Sequence, residues 1–420
     1  MDLKKDADII IKAALRKVMP DEAVTQALAG KSFREGKVYL VAAGKAAWQM
    51  AKTAADILGD RLQAGVCVTK YGHVKGDIPK LQCFEAGHPV PDGNSFRGTR
   101  AALDLVSDLK REDTVIFLLS GGGSALFEKP LIPEGELSDI TEQLLACGAD
   151  ITEINIIRKR LSAVKGGRFA KMCAPAGVYS IVLSDVLGDP LDMIASGPAY
   201  PDSSTCEQAL AVAEKYSLRF SDRAWELLKT ETPRELDNVE TVVTGSVRNL
   251  CLAAAQACEE LGYQALILTD RLCCEAREAG SFLASIAKTH QGSGQSLAFL
   301  AGGETIVHLT GTGKGGRNQE LALAAAEGIS GLKATAVFSI GSDGTDGPTD
   351  AAGGYCDGYT KECLRSKGIE IYQVLQDNNA YMALEEADGL IKTGPTGTNV
   401  NDVAVLLIKR ENMGVRGASA

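Results

Sequence analysis

The chain has 420 residues, of which 45% are hydrophobic and 23% charged, as in globular proteins large enough for two or three domains. Its net charge of −10 and the lack of a basic stretch argue against nucleic-acid binding, and no apolar run is long enough to span a membrane. The 11 cysteines form no Cys-x-x-Cys pair and the N-terminus lacks a signal-peptide pattern, so we expect a reduced, cytoplasmic protein without structural zinc.

Short apolar segments alternate with helical patterns along the whole chain. The first half predicts, in order, strand 38–44, helix 45–61, strands 64–69 and 81–87, helix 94–110 capped by Asn94, strand 114–120, one long basic helix 152–172, strand 178–184, and helices 205–217 and 222–229. The second half predicts strand 241–245, a helix to Leu261, strand 265–269, a helix to His290, strands 297–301 and 306–309, helix 318–329, strand 335–340, helix 378–386 and strand 403–408.

This alternation predicts an α/β protein built from two three-layer α/β/α domains with mostly parallel sheets and an active-site cleft between the domains. The polar, proline-containing segment 230–238 is the predicted linker. It separates a Rossmann-like domain over 1–235 from a second α/β domain over 236–420, whose last segment could return to the first domain. Ligands in such sheets bind at the carboxyl ends of strands, so the residues after each strand are the candidates for function.

The segment 120–124 follows the apolar strand at 114–120 and contains three consecutive glycines. Glycines let successive N–H groups turn inward without Cβ clashes and form a concavity that binds an anion. A tight turn between strand and helix is the alternative. We favour anion binding, by Ser120, Gly121, Gly122, Gly123 and Ser124.

A second glycine-rich segment, 310–320, lies between a strand pattern and a helix pattern. Gly311, Gly313 and Gly316 match G-x-G-x-x-G, a dinucleotide-binding fingerprint that is weak without a well-placed acidic residue after the next strand. Arg317 opens the helix instead, and its planar fork suits phosphate or carboxylate. An exposed, flexible loop is the alternative. The residues that we expect to bind a nucleotide are Gly313, Lys314, Gly315 and Gly316.

Two acidic loops also follow predicted strands. The segment 341–350 carries three carboxylates and three hydroxyls between glycines, an oxygen-rich environment that suits Mg²⁺, with Asp343 and Asp346 as candidate ligands. After strand 178–184, Asp185 or Asp189 could act as a general base or as a second metal ligand. Solvated turns are the alternative in both places.

Three basic side chains have separate interpretations. Lys45 follows strand 38–44 at the predicted start of a helix, where the helix dipole disfavours a cation unless an anion binds, so we assign it a function. Lys165 precedes two glycines and could approach a phosphate. His88 lies in a loop made rigid by prolines, and we favour a structural role for it.

Taken together, the segments resemble the type II glycerate kinases of the MOFRL family (glycerate 2-kinases). The likeness covers nearly the whole chain and is more specific than any single glycine loop. Its blocks are VAAGKAA at 41–47, GHPVPD at 87–92, LLSGGGSAL at 118–126, NIIRKRLSAVKGG at 155–167, SDVLGDPLDMIASGP at 184–198, GGRNQELAL at 315–323, GSDGTDGPTDAAGG at 341–354 and TGPTGTNVNDV at 393–403.

The resemblance implies transfer of phosphate from ATP to D-glycerate with Mg²⁺, usually giving 2-phosphoglycerate. It implies that Lys45 and Arg317 are the catalytic cations, with acidic assistance from Asp343 or Asp346 and from Asp185 or Asp189. The loop 120–124 would hold phosphate or the glycerate carboxylate. We expect a monomer or a homodimer.

Two other functions stay open. The first is an NAD(P)H-dependent hydroxypyruvate reductase, which only the G-x-G-x-x-G match at 311–316 supports. The second is a non-catalytic protein that binds sugar acids or their phosphates. The sequence also leaves open which hydroxyl of glycerate is phosphorylated.

Overall fold

Helices and strands alternate along the computed structural model, which describes residues 2–410. The strands are β1 (Val38–Ala43), β2 (Leu62–Lys70), β3 (Leu81–Ala86), β4 (Thr114–Leu119), β5 (Gly177–Leu183), β6 (Val239–Gly245), β7 (Gln264–Leu272), β8 (Leu297–Gly303), β9 (Thr335–Gly341), β10 (Gly353–Asp357), β11 (Leu390–Ile391) and β12 (Asp402–Ile408).

The helices are α1 (Leu3–Lys17), α2 (Pro20–Leu28), α3 (Ala47–Leu58), α4 (Gly93–Leu105), α5 (Gly123–Leu126), α6 (Glu134–Ala146), α7 (Ile151–Leu161), α8 (Arg168–Cys173), α9 (Cys206–Lys215), α10 (Asp222–Leu228), α11 (Val247–Glu260), α12 (Ala276–Thr289), α13 (Arg317–Ile329), α14 (Thr360–Ser366), α15 (Ile371–Gln376) and α16 (Ala380–Glu386). No helix among residues 2–410 combines the length and the apolar character that a membrane span requires.

The chain forms two compact units, of which the first comprises residues 20–244 and the second residues 2–19 and 245–410. The division comes after β6 rather than near residue 235, because β6 is the last strand of the first sheet. The first helix, α1, packs against α11 and belongs to the second unit. The last strand, β12, lies inside the second sheet, so the described chain does not return to the first unit.

The first sheet has the order β3-β2-β1-β4-β5-β6, and the pairs from β3 to β5 are parallel. Its side chains alternate between two faces: Leu40 of β1 packs with Met50 of α3, and Val41 packs with Phe169 of α8. Helices therefore cover both faces, and the layered α/β prediction is confirmed for this unit. The strand order reverses between β1 and β4, the place where doubly wound sheets bind ligands.

The second sheet is mixed, with the order β11-β10-β9-β12-β8-β7. Only β7 and β8 run parallel, and the other four neighbouring pairs are antiparallel, unlike the parallel pairing of the first sheet. For β9 and β10 the reason is that residues 342–352, which join them, form no helix, and parallel strands need a long crossover. Helices still cover both faces, since Cys251 of α11 lies against Gly302 while α12 packs with Phe299.

Three local predictions were wrong. The helix expected over 152–172 is interrupted between α7 and α8, where Gly166 and Gly167 have φ of +56° and +80°. Helix α4 is capped by Asp92 rather than Asn94, through a capping box with Ser95. The expected strand at 306–309 is reduced to an isolated bridge at Ile306.

Candidate functional site

The loop 120–124 connects the buried strand β4 to the short helix α5 at the carboxyl edge of the first sheet. Gly122 has a φ of +84°, a conformation that favours glycine. The backbone N–H groups of Gly121, Gly122 and Ser124 donate to no residue within 2–410, whereas Ser120 and Gly123 donate to carbonyls. Three unsatisfied N–H donors beside a buried strand are what an anion-binding concavity requires.

Three reactive side chains lie against the glycines of this loop. A Cβ on Gly121 would overlap with the carboxylate of Asp185. A Cβ on Gly122 would lie 3.0 Å from Nε2 of His88 and 3.2 Å from Cγ of Lys45. The absence of glycine side chains therefore brings a carboxylate, an imidazole and an ammonium-bearing side chain to the surface of the loop.

Lys45 is held by its backbone, and its ammonium group is available. Its N–H donates to the carbonyl of Gly121 at 2.9 Å, and the neighbouring Ala46 N–H donates to Oγ of Ser120 at 3.1 Å. Within 2–410, no carboxylate forms an ion pair with Lys45. A half-buried lysine without a carboxylate partner can neutralise an anion on the loop.

The loop is supported from behind by a buried cluster around Lys165. Its ammonium group donates to the carbonyls of Ser124 (2.8 Å) and Phe127 (3.2 Å) and lies 3.4 Å from Glu128. Arg158 donates to the Ser124 carbonyl as well, at 3.0 Å. Burial lowers the pKa of Lys165 to about 8, against the opposing effect of Glu128. Lys165 therefore stabilises the loop by donating hydrogen bonds to the carbonyl groups of Ser124 and Phe127. These hydrogen bonds occupy its ammonium group.

The two carboxylates expected after β5 differ in their placement. Asp185 lies beside Gly121, as described above. Asp189 has a φ of +53°, and its Oδ1 is buried without a hydrogen bond from any residue within 2–410. Of the two, Asp185 is the one that the structure places against the loop.

In the second unit, the G-x-G-x-x-G segment is bonded to the segment 377–379. The N–H groups of Thr310 and Gly311 donate to Oδ1 of Asn378, and the N–H of Thr312 donates to Asp377. The N–H groups of Gly313 and Lys314 donate to Asp377 and Asn379. The ammonium group of Lys314 lies 4.1 Å from the centre of the Tyr381 ring. In the described chain only the N–H groups of Gly315 and Gly316 stay unbonded in this loop.

Arg317, the first residue of α13, is bound by two carboxylates that sequence reasoning missed. Its guanidinium donates to Asp402 in bidentate fashion, at 2.6 and 3.0 Å, and lies 3.0 Å from Glu304. Glu304 directly follows β8, and Asp402 begins β12. Because β12 is antiparallel to β8, both carboxylates lie at the same edge of the sheet. The only available signal was the placement of each acid beside a predicted strand.

The two aspartates expected to bind a metal have different surroundings. Asp346 receives the N–H groups of Asn318 and Gln319 and both of their side-chain amides, so it caps the start of α13. Burial raises the pKa of Asp346 to about 6. The carboxylate of Asp343 accepts one hydrogen bond, from the N–H of Thr345, and the residue is half-buried. Asp343 therefore keeps more free lone pairs than Asp346.

Comparison with known proteins assigns both parts of the chain. Residues 6–229 match a domain of unknown function, DUF4147, and residues 297–402 match the MOFRL family. The D-glycerate 2-kinase of Thermotoga maritima is 51% identical over 412 residues, which are 97% of this chain and 98% of that protein. A relative from Agrobacterium vitis with the provisional name hydroxypyruvate reductase is 36% identical over 89% of this chain and 100% of its own length.

A crystal structure of a glycerate kinase from Thermotoga maritima superposes with a TM-score of 0.93 at 51% identity, covering 97% of this chain and 99% of that one. The likeness therefore extends over both units, with the loop 120–124 inside the DUF4147 match and Arg317 inside the MOFRL match. This chain, which joins a DUF4147 match to a MOFRL match, belongs to the glycerate kinase family.

Proposed function

We propose that this protein transfers the γ-phosphoryl group of ATP to the 2-hydroxyl of D-glycerate and produces 2-phosphoglycerate. The observation that carries the proposal is the full-length likeness, at 51% identity, to a D-glycerate 2-kinase. The loop 120–124 supports it independently, because its three free N–H groups beside Lys45 suit an anionic substrate. Both substrates are anions.

Phosphoryl transfer depends mainly on positioning and on neutralising charge, because its transition state is loose and the phosphoryl oxygens carry the charge. In the first unit, the N–H groups of Gly121, Gly122 and Ser124 would hold a phosphate or the glycerate carboxylate. Lys45 would neutralise the charge next to them. Asp185, whose carboxylate lies against Gly121, would help to position the substrate there.

In the second unit, Gly315, Gly316 and Arg317 are the groups that would bind a nucleotide phosphate. The guanidinium of Arg317 is already oriented by Asp402 and Glu304. Such an arrangement fixes the directions of its two remaining N–H donors before a ligand arrives.

The residues present fit a Mg²⁺ ion through Asp343. Mg²⁺ usually takes one or two carboxylates and completes its coordination with phosphates and water. Asp343 has free carboxylate lone pairs, whereas those of Asp346 accept N–H groups. The ion would neutralise the nucleotide phosphates when bound. The cluster of Cys206, Glu207 and Glu231, which could also hold a metal, lies at the start of α9 and is largely exposed.

Reduction of hydroxypyruvate is the second candidate, favoured by the name of the Agrobacterium vitis relative. Dinucleotide-binding loops of the G-x-G-x-x-G type bind pyrophosphate through free N–H groups. In this chain the N–H groups from Thr310 to Lys314 are bonded to residues 377–379. The geometry therefore favours the kinase.

The deciding experiment is a coupled assay with ATP, Mg²⁺ and D-glycerate. The product is supplied to enolase alone and, separately, to phosphoglycerate mutase with enolase. Turnover by enolase alone supports the proposal, and a requirement for the mutase would identify 3-phosphoglycerate instead. Oxidation of NADH by hydroxypyruvate without ATP would support the reductase and contradict the kinase.

We place the reaction in the cytoplasm. All 11 cysteines are free thiols, as expected in a reducing compartment. A monomer or homodimer stays a prediction, which light scattering of the purified chain would test.

A further inference from the structure

His88 is placed where a group acting on the substrate would be. It follows the edge strand β3, in the loop 87–92. The Cδ2–Nε2 edge of its ring faces Gly122, with Nε2 at 3.0 Å from where a Cβ of that glycine would lie. Cγ of Lys45 approaches the same point to 3.2 Å. The imidazole and the lysine therefore flank the central glycine of the anion-binding loop.

The loop that carries His88 is fixed by its own hydrogen bonds. Asp92 accepts hydrogen bonds from the N–H groups of Asn94 and Ser95 and from the hydroxyl of Tyr71, and it caps α4. The imidazole itself takes no part in this network. Because the backbone of the loop holds the His88 ring in place, the ring nitrogens can form hydrogen bonds with a ligand.

The ring of His88 has no structural hydrogen bond. Within residues 2–410 neither of its nitrogens is hydrogen-bonded, and neither is sealed from solvent. The other histidine of this region differs, because Nδ1 of His73 lies 2.9 Å from the carbonyl of Lys45. A half-buried imidazole without a partner, facing Gly122 of the anion-binding loop, is arranged for a ligand rather than for the fold.

The surroundings keep this imidazole neutral. Lys45, Lys70 and His73 are the charged or titratable groups that act on the ring. Burial lowers the pKa of His88 below its usual value, and the three neighbours lower it further. At neutral pH the ring therefore has one nitrogen with a free lone pair, which can accept a proton.

Glycerate has its 2-hydroxyl on the carbon that bears the carboxylate. A carboxylate bound by Gly121, Gly122 and Ser124 therefore brings that hydroxyl next to the groups on the surface of the loop. His88 is one of them. The pKa of an imidazole lies closer to neutral pH than that of a carboxylate, and a general base works best when its pKa is near the working pH.

We propose that His88 accepts the proton of the glycerate 2-hydroxyl during phosphoryl transfer, an inference that rests on the proposed function. The O–H bond breaks as the proton goes to a ring nitrogen of His88, and a new bond forms between that oxygen and the γ-phosphorus of ATP. The bond from the γ-phosphorus to the β–γ bridging oxygen breaks, and its electron pair leaves with ADP. The imidazolium then releases its proton to solvent.

The test is a steady-state comparison of wild type with His88→Gln and His88→Asn, which keep a polar side chain but cannot take the proton. We expect kcat to fall about 10²–10⁴-fold in both variants, while KM for glycerate and ATP changes less than about threefold. His290→Gln, a half-buried histidine that packs against Phe299 in the second unit, is the matched control and should keep its kcat.

The pH profile separates catalysis from structure. Wild-type kcat/KM should rise as pH increases through an apparent pKa below 6.5, because the neutral form of His88 is the active one. The two variants should lose this acidic limb.

A kcat within threefold of wild type, a loss confined to KM, or an unchanged acidic limb in the variants would overturn the proposal. If one variant fails to fold, the kinetics of the other variant and the pH profile of the wild type test the role of His88. An inactive wild type would contradict the proposed kinase, whereas active variants contradict only the assignment of His88.

Discussion

The two glycine-rich loops of this protein look alike in sequence and differ in structure. In the loop 120–124, three N–H groups have no partner within the described chain, and Asp185, His88 and Lys45 lie against its glycines. In the loop 310–316, five consecutive N–H groups are bonded to the segment 377–379. The first loop presents donors to a ligand, and the second uses its donors to bind the chain itself.

The two loops differ in the groups that lie where a glycine side chain would otherwise be. At Gly122 the space is occupied by an imidazole and a lysine, whereas at Gly313 it is occupied by the backbone and Cβ of residues 377–379. Glycine allows close approach in both cases. A loop binds a ligand or the chain itself according to which residues approach its glycines. Those residues are distant in sequence, so the sequence of the loop does not show which they are.

The largest effect should come from Lys45, which forms no ion pair with a carboxylate within residues 2–410. We expect Lys45→Ala to lower kcat/KM about 10³–10⁵-fold, the cost of removing a charge clamp on a transferred phosphoryl group, without changing thermal unfolding. Lys52→Ala, on the exposed side of α3 with Asp56 as its partner, is the control and should retain activity. Activity near wild type in Lys45→Ala would remove the first loop from the reaction.

Arg317 should affect stability as well as activity. Arg317→Ala leaves the buried carboxylate of Asp402 without its bidentate partner, which we expect to cost about 3 kcal/mol of unfolding free energy. Its turnover should fall about 10³-fold or more, the cost of removing an arginine clamp on a transferred phosphoryl group. This loss should be at least as large as that of Asp185→Asn, which removes the carboxylate against Gly121. Urea unfolding and the coupled assay measure the two effects. The exposed pair of Arg248 and Asp270 provides the control, since Arg248→Ala should cost less than about 1 kcal/mol. Turnover near wild type in Arg317→Ala would refute its catalytic assignment.

Matched glycine substitutions compare the loops directly. In Gly122→Ala the new Cβ would press on His88 and Lys45 at a φ of +84°, so activity should fall more than stability. In Gly313→Ala the Cβ would overlap with Asn379 and the carbonyl of Asp377, and overpacking of this kind costs about 1–3 kcal/mol. Activity assays and thermal melting curves of the two variants would show whether Gly122→Ala loses mainly activity and Gly313→Ala mainly stability. If both variants lost activity and stability to the same extent, the two loops would not differ in role.

The smallest effect should come from the segment that binds the second loop. Asn378 is buried, accepts two N–H groups through Oδ1, and donates to the carbonyl of His308. We expect Asn378→Ala to lower the unfolding free energy by about 1–3 kcal/mol, because it removes the hydrogen bonds of a buried side chain to Thr310, Gly311 and His308. Asn379→Ala removes a single bond to Lys314 and should cost less. Equal stability of the two variants would contradict the structural role of the second loop.

The sequence predicted most of the first unit and the residues around its loop. Continuous apolar strands such as β4 and the glycines after them are local signals, so Lys45 and the loop 120–124 could be located without coordinates. The family resemblance was confirmed over both units. The roles of the individual residues stay predictions.

What the sequence could not predict depends on contacts between distant segments. Arg317 and Asp402 are 85 positions apart, and their pairing follows from the antiparallel placement of β12. The bond between the second loop and Asn378 joins segments 67 and 68 positions apart. His88 looked structural because nothing in its own loop indicates that the ring faces Gly122.

The placement of α1 has a consequence for biosynthesis. This helix is synthesised before the rest of its unit, and its partners come much later in the chain: Asp6 accepts a hydrogen bond from Tyr263 and pairs with Lys409. At ordinary rates of translation the delay is on the order of tens of seconds, during which residues 20–244 can already fold. Helix α1 can therefore pack into its own unit only after residues 245–410 have been synthesised.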